Sequence, residues 1–258
     1  MASKRKVLGK VVKQNEPASG IYDLWIETDL AKDAFCGQFV GLYPKDKSHL
    51  LPRPISICEV NKAENMLRLV YRVQGAGTRE FSSWKEGEEV WVLGVLGNGF
   101  PLEEGKDKKA LLIGGGIGIP PILQLSKEFQ GEKQMILGYR NQDLFLIEEF
   151  EKNGEVLVAT EDGSKGVKGN VLDAIKQSGV EGQIIYACGP LPMLKALKEY
   201  AKEKQIPAYL SLEERMACGV GACLGCVCNT SKKDHHSHVN NARICTEGPV
   251  FLADDIMI

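Results

Sequence analysis

Four cysteines near the C-terminus constrain this chain more than any other feature. Cys218, Cys223 and Cys226 follow a C-x4-C-x2-C spacing, and Cys245 comes after a gap of eighteen residues. This is the ligand pattern of a plant-type [2Fe–2S] cluster, in which one loop supplies three thiolates and a more distant cysteine supplies the fourth. The spacing therefore predicts a compact iron–sulfur segment over residues 213–245.

Other uses of these thiols stay open on spacing alone. A structural zinc site usually takes its ligands as two C-x2-C pairs, and reduced cysteines can simply pack in a core. The glycines at positions 219, 221 and 225 favour the cluster, because a loop that turns several amides towards sulfide needs positive φ angles. Cys228 is interpreted as a thiol packed beside the cluster, since its C-x-C spacing from Cys226 makes it a poor ligand.

A polar run between the third and fourth cysteines carries His235, His236 and His238. A Rieske centre replaces two cysteine ligands by histidine. The surrounding segment, KKDHHSHVNN, is rich in charged and turn-forming residues, which favours a solvated hairpin tip over a ligand role.

Composition narrows the class of protein. A length of 258 residues is enough for two domains and a small appendage, and an apolar share of 43% is ordinary for a chain that buries a core. The net charge of −2 gives no sign of binding to nucleic acid or to an anionic membrane. The first residues, MASKRKVLGKVV, are basic but lack the apolar region and cleavage site typical of a signal peptide, and no apolar run approaches eighteen residues. Clustered cysteines indicate metal ligation in a reducing compartment, so we expect a cytoplasmic protein.

The first hundred residues alternate like β-structure. Short segments rich in Val, Ile, Leu, Tyr and Trp are separated by turn clusters such as EPASG and PKDKS, a spacing typical of an antiparallel barrel or sandwich. The predicted strands are 6–14, 21–28, 38–43, 53–60, 66–73 and 89–93. One helix is predicted at 78–84, after the glycines of QGAGT.

Two pieces of this region suit a phosphate-bearing cofactor. In the first, Pro52 and Pro54 hold the chain extended around Arg53, whose forked donors match a pyrophosphate, and the hydroxyl of Ser56 follows. In the second, the VYR triplet at 70–72 precedes GAGT, a glycine turn into a helix N-terminus that favours anions. Each is weak alone, because an arginine after a proline in a strand is usually a surface charge.

A glycine-rich loop opens the middle third. A buried-type strand at 109–113 enters GGGIGIPP, and a helix is predicted at 122–129. Strand, glycine loop and helix together place a pyrophosphate on a helix N-terminus. The G-x-G-x-x-G fingerprint is not met, because Pro121 stands where the third glycine belongs, and Tyr139 and Arg140 stand where an acid is expected. The sequence therefore predicts a nucleotide loop of another type.

Strands and helices alternate through the rest of this region. The predicted strands are 134–139, 155–160, 183–187 and 208–212, and the predicted helices are 144–152, 171–178 and 193–204. This alternation is typical of a doubly wound parallel sheet, which binds ligands beyond the carboxyl ends of its strands. Cys188, Gly189 and Pro190 follow one such strand, where a thiol suits either a place over a cofactor ring or a buried turn. The polar stretch at 102–107 marks the predicted boundary with the barrel.

The order of these parts resembles a known superfamily. A β-barrel with RPIS, a glycine-loop α/β domain ending in CGP and a C-terminal cysteine cluster are similar to the ferredoxin reductase-like flavoproteins. More narrowly, GGGIGIPP, CGP and ERMACGVGACLGCVC, with the later cysteine and GPVF, resemble the electron-transfer subunits of bacterial dihydroorotate dehydrogenase B complexes. The resemblance spans essentially the whole chain.

The resemblance implies a multidomain β and α/β fold with three cofactors. It places an FAD-binding antiparallel β-barrel at 1–102, an NAD-binding doubly wound parallel sheet at 103–212 and a small [2Fe–2S] domain at 213–258. The residues implied to hold FAD are Arg53, Pro54, Ile55, Ser56, Val70, Tyr71, Arg72, Gly77 and Thr78. Those predicted to hold NAD are Gly114, Gly115, Gly116, Gly118, Cys188, Gly189 and Pro190. The implied cluster ligands are Cys218, Cys223, Cys226 and Cys245.

The resemblance also implies a partner and an order of electron transfer. The partner would be a separate FMN-containing subunit that oxidises dihydroorotate to orotate in pyrimidine biosynthesis, and two copies of each subunit would form a heterotetramer. Because a nicotinamide exchanges hydride and an iron–sulfur centre exchanges single electrons, a flavin belongs between them. The expected order is partner FMN, [2Fe–2S], FAD and NAD+, with no general acid or base required from this chain.

Two other functions fit the residues. One is the flavin and iron–sulfur subunit of a different NAD(P)H oxidoreductase, such as a ferredoxin-dependent transhydrogenase or a soluble hydrogenase. The other is a non-enzymatic scaffold subunit with a zinc-stapled tail. The residues do not choose between NAD and NADP, because Arg140 suits either, and the resemblance alone favours NAD.

Overall fold

The structure is a computed structural model that describes residues 4–231, 233 and 239–258. The three histidines of the polar run, and with them the predicted hairpin tip, lie outside these residues. Among the helices that are described, none is long and apolar enough to cross a membrane.

The N-terminal part is a closed barrel of antiparallel strands, as predicted. The strands are β1 (Arg5–Ala18), β2 (Ile21–Glu27), β3 (Phe39–Leu42), β4 (Arg53–Asn61), β5 (Met66–Arg72) and β6 (Glu89–Leu96). Their order is β1-β2-β5-β4-β3-β6, and β1 pairs with both β2 and β6, which leaves no open edge. Apolar side chains such as Leu24, Ile57 and Leu69 fill the interior. A short helix, α1 (Ala76–Phe81), follows β5 and begins slightly earlier than predicted.

The central part is a mixed sheet with helices on both faces. Its strands are β7 (Ala110–Gly115), β8 (Lys133–Tyr139), β9 (Val156–Thr160), β10 (Val167–Lys168), β11 (Ile184–Cys188) and β12 (Ala208–Ser211). Its helices are α2 (Ile119–Glu128), α3 (Ile147–Glu151), α4 (Val171–Ser178) and α5 (Leu191–Lys204). Side chains of α2 and α3 pack with one hydrophobic cluster, and those of α4 and α5 pack with the other. These strands are all parallel, which confirms the predicted doubly wound sheet.

Local sequence explains where these elements begin and end. Every residue of β7 is buried, as an apolar run covered on both faces requires. Two prolines stand in the first turn of α2, where a missing N–H costs no helix hydrogen bond. Asn170 caps α4 by accepting from the N–H groups of Leu172 and Asp173, and Gly179 ends it with a φ of +67°.

The C-terminal segment returns to the parallel sheet. It forms a hairpin of β13 (Val227–Asn229) and β14 (Asn241–Arg243), then β15 (Val250–Leu252), which pairs antiparallel with β12. The sheet order is therefore β10-β9-β8-β7-β11-β12-β15. Strand β15 was not predicted from the sequence, because three residues are too few to show a period. The Asn98 N–H also donates to the Gly248 carbonyl oxygen at 2.6 Å, which ties this segment to the end of the barrel.

A buried arginine joins the barrel to the sheet. Arg68 on β5 donates to both carboxylate oxygens of Asp23, at 2.9 and 2.8 Å, and its side chain is only 9% exposed. It also pairs with Glu59 of the barrel at 3.1 Å and with Glu149 of α3 at 2.7 Å. Lys127 of α2 pairs with Glu59 at 2.7 Å. Three carboxylates from two parts of the molecule thus share one guanidinium.

Replacing Arg68 by methionine should lower the free energy of unfolding by about 3 to 5 kcal/mol, because the carboxylates would remain partly buried without their partner. Lys32→Met is the matched control, since the Lys32–Asp29 pair is exposed and should contribute nothing measurable. Urea unfolding followed by circular dichroism measures both variants. A midpoint for Arg68→Met equal to that of the control would contradict a structural role for the network.

Candidate cofactor-binding sites

A cavity of about 950 Å³ opens where the barrel meets the sheet. Strands β8, β9 and β10 lie on one side of β7, and β11 and β12 lie on the other, so the strand order reverses at β7. Open α/β sheets bind ligands at such a point, beyond the carboxyl ends of the strands. Both parts of the molecule line the cavity: Gly20 and Arg72 come from the barrel, and Gly115, Gly116 and Gly189 come from the sheet.

The glycine loop after β7 uses its residues in two ways. Gly115 and Gly116 line the cavity, and Gly116 has a φ of +52°, a conformation that favours glycine. Gly114 and Gly118 lie beneath them against other backbone. A Cβ on Gly114 would stand 2.9 Å from the backbone of α2, and one on Gly118 would overlap the carbonyl of Cys188. The predicted nucleotide loop is therefore part cavity wall and part packing surface.

Cys188, for which the sequence allows either a place over a cofactor ring or a buried turn, lies below the cavity surface. It is fully buried at the end of β11, whereas the next two residues, Gly189 and Pro190, line the cavity. Burial raises the pKa of this thiol, the Glu213 carboxyl raises it further, and a hydrogen bond with the Ser211 hydroxyl opposes both. Cys188 is therefore a neutral thiol that supports the cavity from beneath.

Glu213 is a cavity residue that the sequence analysis did not assign to a site. Its carboxyl is open to the cavity, yet the walls exclude enough solvent to raise its pKa, while the charge of Arg72 opposes that shift. Arg72 also approaches the glycine loop, with Nη2 3.8 Å from the position of a Cβ on Gly116. The sequence could have indicated Glu213, because it is an acidic residue just beyond the carboxyl end of the last predicted strand, 208–212. The resemblance implies that Arg72 contacts the flavin, and the structure places this residue at the cavity wall.

The barrel brings Arg53 and Gly77 together. Arg53 begins β4, and its Nη1 donates to the Leu51 carbonyl oxygen at 2.6 Å. Its guanidinium lies across the backbone of Gly77 so closely that a Cβ there would stand 2.7 Å from Nε. The first amides of α1 have no acceptors within the helix, and a fixed guanidinium adds its charge to theirs. This arrangement fits a pyrophosphate.

Three other residues of the predicted flavin set are core residues. Ile55 lies in the barrel interior, and Val70 lies in the cluster between the barrel and the sheet. The Tyr71 ring stacks on Tyr22 inside the barrel, with centroids 5.9 Å apart, and its hydroxyl donates to Gln14 Oε1 at 2.9 Å.

The last members of this set lie nearer the barrel surface. Two of them are half-buried on β4, Pro54 and Ser56. Thr78 Oγ1 accepts from the N–H groups of Gln74 at 2.9 Å and Gly75 at 3.1 Å, so its hydroxyl closes the turn before α1. Thr78 thereby shapes the turn that Arg53 covers.

Residues 218–226, which we call the cysteine loop, turn backbone amides towards cysteine sulfur. The Val220 N–H lies 3.4 Å from Cys218 Sγ, and the Gly225 N–H lies 3.4 Å from Cys223 Sγ. Burial alone would raise the pKa of Cys218, but the N–H groups of its own loop outweigh burial and lower the pKa to about 6. Such donors stabilise the thiolate, which is the form that binds metal.

Positive φ angles occur in this loop, with one difference from expectation. Gly219 and Gly221 have φ of +68° and +90°, as predicted. The third positive φ belongs to Leu224, at +55°, and Gly225 does not share it. Gly225 serves instead as the amide donor to sulfur.

The four predicted ligands are neighbours in space. The Cys223 side chain helps to lower the pKa of Cys218, and burial together with the Cys226 and Cys218 thiols raises the pKa of Cys245 to about 12. Within the described residues, no three His, Cys, Asp or Glu side chains are grouped to hold a metal ion. A [2Fe–2S] cluster needs only two thiolates on each iron, which neighbouring pairs of thiols can supply.

Comparisons with known sequences match the parallel sheet and the cysteine-rich C-terminal segment to two different domain families. The iron–sulfur cluster binding domain of dihydroorotate dehydrogenase B matches residues 213–257, and an oxidoreductase NAD-binding domain matches residues 112–199. A relative from Lysinibacillus sphaericus (strain C3-41), named dihydroorotate dehydrogenase B (NAD(+)), electron transfer subunit, is 44% identical over 248 residues. The match covers 94% of this chain and 95% of that relative.

Solved structures show the same architecture. A chain of the NADH-dependent reduced ferredoxin-NADP oxidoreductase, described for flavin-based electron bifurcation, is 30% identical with a TM-score of 0.86. The match covers 100% of this chain and 91% of that one. A ferredoxin NADP+ reductase from Neisseria gonorrhoeae is 16% identical with a TM-score of 0.65, covering 77% of this chain and 91% of its own, which shows the fold.

The barrel, the switch-point cavity and the cysteine loop define a ferredoxin reductase-like flavoprotein with an iron–sulfur segment, as predicted. Full-length similarity then fixes the family. The chain belongs to the dihydroorotate dehydrogenase B (NAD(+)) electron transfer subunits.

Gly77→Ala should weaken FAD retention by about tenfold or more, because the new methyl would displace the Arg53 guanidinium and a charged hydrogen bond contributes about 1.5 to 3 kcal/mol. Gly75→Ala is the matched control, since nothing lies within 4 Å of a Cβ at that glycine. Flavin absorbance per chain after dialysis measures both. Equal flavin content in the two variants would mean that Arg53 does not hold the cofactor.

Cys245→Ser should reduce bound iron and sulfide from about two of each per chain to almost none, while NADH still bleaches the flavin. Cys228→Ser is the control, because this half-buried thiol is not a predicted ligand and its loss should leave the iron content unchanged. Iron and acid-labile sulfide analysis of both variants decides the ligand set. Loss of iron in Cys228→Ser alone would exchange the roles of the two cysteines.

Proposed function

We propose that this chain is the electron-transfer subunit of a dihydroorotate dehydrogenase B complex. It passes electrons between NAD(H) and a partner FMN subunit that converts dihydroorotate to orotate in pyrimidine biosynthesis. Its cofactors are FAD, NAD and a [2Fe–2S] cluster. The observation that carries the proposal is the presence, in one chain, of a switch-point cavity, an arginine-covered glycine turn and an amide-lined cysteine loop.

The residues of the chain bind, orient and separate these groups. Gly116 admits a dinucleotide close to the backbone, and Arg53, which lies over the start of α1, holds the FAD pyrophosphate. Amides around Cys218 and Cys223 stabilise their thiolates. Bound FAD supplies the exchange between two-electron and one-electron transfer. No acid or base of this chain is needed for that exchange.

The surface around the cysteine loop supports contact with a partner at this point. Cys223 is exposed at the loop, and Val220, Leu224 and Val227 expose 39%, 59% and 39% of their surface. Apolar side chains grouped at the surface are characteristic of protein interfaces. We place the FMN subunit on this face, in a heterotetramer with two copies of each subunit.

The reducing cytoplasm is the compartment that we assign to the chain. All eight of its cysteines are free of disulfides, and five of them lie in the cysteine-rich segment. Thiols stay reduced and ligate metals in such a compartment.

A second candidate has one specific observation in its favour. The 30% identity to a chain of the NADH-dependent reduced ferredoxin-NADP oxidoreductase covers the whole of this chain. The same barrel, cavity and cysteine loop could therefore serve a ferredoxin-linked complex. The partner decides between the two, because both functions use the same cofactors.

The proposal predicts that the purified chain carries flavin, with about two iron and two sulfide per chain, and that NADH bleaches its visible spectrum. Mixed with an FMN-type dihydroorotate dehydrogenase subunit, it should form NADH from NAD+ in step with orotate. Absorbance at the NADH and orotate bands measures both products. Reduction of ferredoxin without any NADH-linked orotate turnover would favour the second candidate, and a colourless zinc protein would exclude both.

A further inference from the structure

One methionine lies across the two cavity loops. A Cβ on Gly115 would stand 2.5 Å from the Sδ of Met193 and 3.2 Å from its Cε. A Cβ on Gly189 would stand 3.1 Å from the same sulfur and would overlap the same methyl. The thioether therefore covers the backbone of both loops, one after β7 and one after β11.

The position of Met193 puts it on the path of any dinucleotide bound here. The residue is half-buried in the first turn of α5 and lines the cavity beside Pro190. The loop after β7 lies where the strand order reverses, and the loop after β11 belongs to the neighbouring strand on the other side from β8. A ligand with two nucleotide halves spans that point, because one half lies beyond each group of strands.

We propose that bound NAD(H) lies against the Met193 thioether where it crosses from one loop to the other, which makes Met193 a binding residue and a site of oxidative inactivation. This rests on the proposed NAD function. A thioether is flexible and polarisable, so it can follow the contour of a ligand. A sulfoxide at the same place is polar and larger.

The oxidation itself is a simple oxygen transfer. A peroxide gives one oxygen atom to Sδ, the O–O bond breaks and water leaves. The sulfur loses two electrons and the peroxide gains them. In the sulfoxide, the S=O group would lie against the loop backbone that the sulfur and methyl of Met193 now cover. NAD(H) would then lose the thioether as a contact surface.

The chain contains its own controls for an oxidation experiment. Met135 is fully buried in the sheet and should resist peroxide whether or not NAD+ is present. Met257 is 60% exposed near the C-terminus and should react at the same rate in both conditions. Of these three methionines, only Met193 should be oxidised at a rate that depends on the ligand.

The test treats the cofactor-loaded protein briefly with dilute hydrogen peroxide, with and without NAD+, and counts sulfoxide at each methionine by peptide mass spectrometry. With NAD+ at about 100 times its dissociation constant, about one chain in a hundred stays free, so oxidation of Met193 should slow by about tenfold or more. Oxidation of Met193 at one rate in both conditions, or no oxidation in either, would overturn the proposal.

A second arm uses Met193→Leu, which keeps the side-chain volume and cannot form a sulfoxide. Peroxide treatment should weaken NAD+ binding to the parent protein by about tenfold or more, measured by calorimetry. The NAD+ affinity of Met193→Leu should be the same before and after the treatment. Equal loss in both proteins would place the damage elsewhere. Bleaching of the flavin by NADH before treatment separates the two hypotheses, because its absence would refute the NAD function itself.

Discussion

The contact between the barrel and the parallel sheet is the interaction on which the rest of the structure depends. Arg68 pairs with carboxylates from both parts, so neither part can turn without leaving charge unpaired. The switch-point cavity exists only while this contact holds, because Gly20 and Arg72 of the barrel form one wall of it. A nucleotide bound in the cavity would therefore meet a barrel whose position is already fixed, which reduces the ordering cost of binding.

Close backbone packing gives the cavity its shape. Gly118 lies directly on the carbonyl of Cys188, and Gly182 lies on Leu111, so the loops at both ends of β7 and β11 admit no side chain at these points. The strands can then approach without a layer of side chains between helix and sheet. The burial of Cys188 follows from this packing, because its sulfur fills the space beneath the loops rather than the cavity above them. A thiol in that position contributes shape, and its neutrality avoids an unpaired charge in the interior.

Much of this architecture was predictable, since period and turn chemistry are local properties. The barrel strands, the alternation of the sheet, the glycine loop and the cysteine spacing all appear in the sequence within a few residues of their final bounds. Which face a side chain takes was not predictable, because Val70 and Tyr71 are adjacent and point into different cores. The return of β15 to β12 was also hidden, since pairing across forty residues leaves no trace in a three-residue segment.

The order of the cofactors in electron transfer follows from the positions of the barrel strands that contact the cavity and the cysteine loop. Arg72, at the end of β5, reaches the nucleotide cavity, while Leu93 and Leu96 of β6 pack against Gly219 in the cysteine loop. The barrel thus contacts both the cavity and the cysteine loop, and it also carries Arg53, the residue proposed to hold FAD. Only four residues separate Glu213 in the cavity wall from Cys218 in the cysteine loop, and β15 anchors the same segment to the sheet. Short covalent connections and strand pairing therefore set the separation between the cavity and the cysteine loop, so the same segment fixes the position of both.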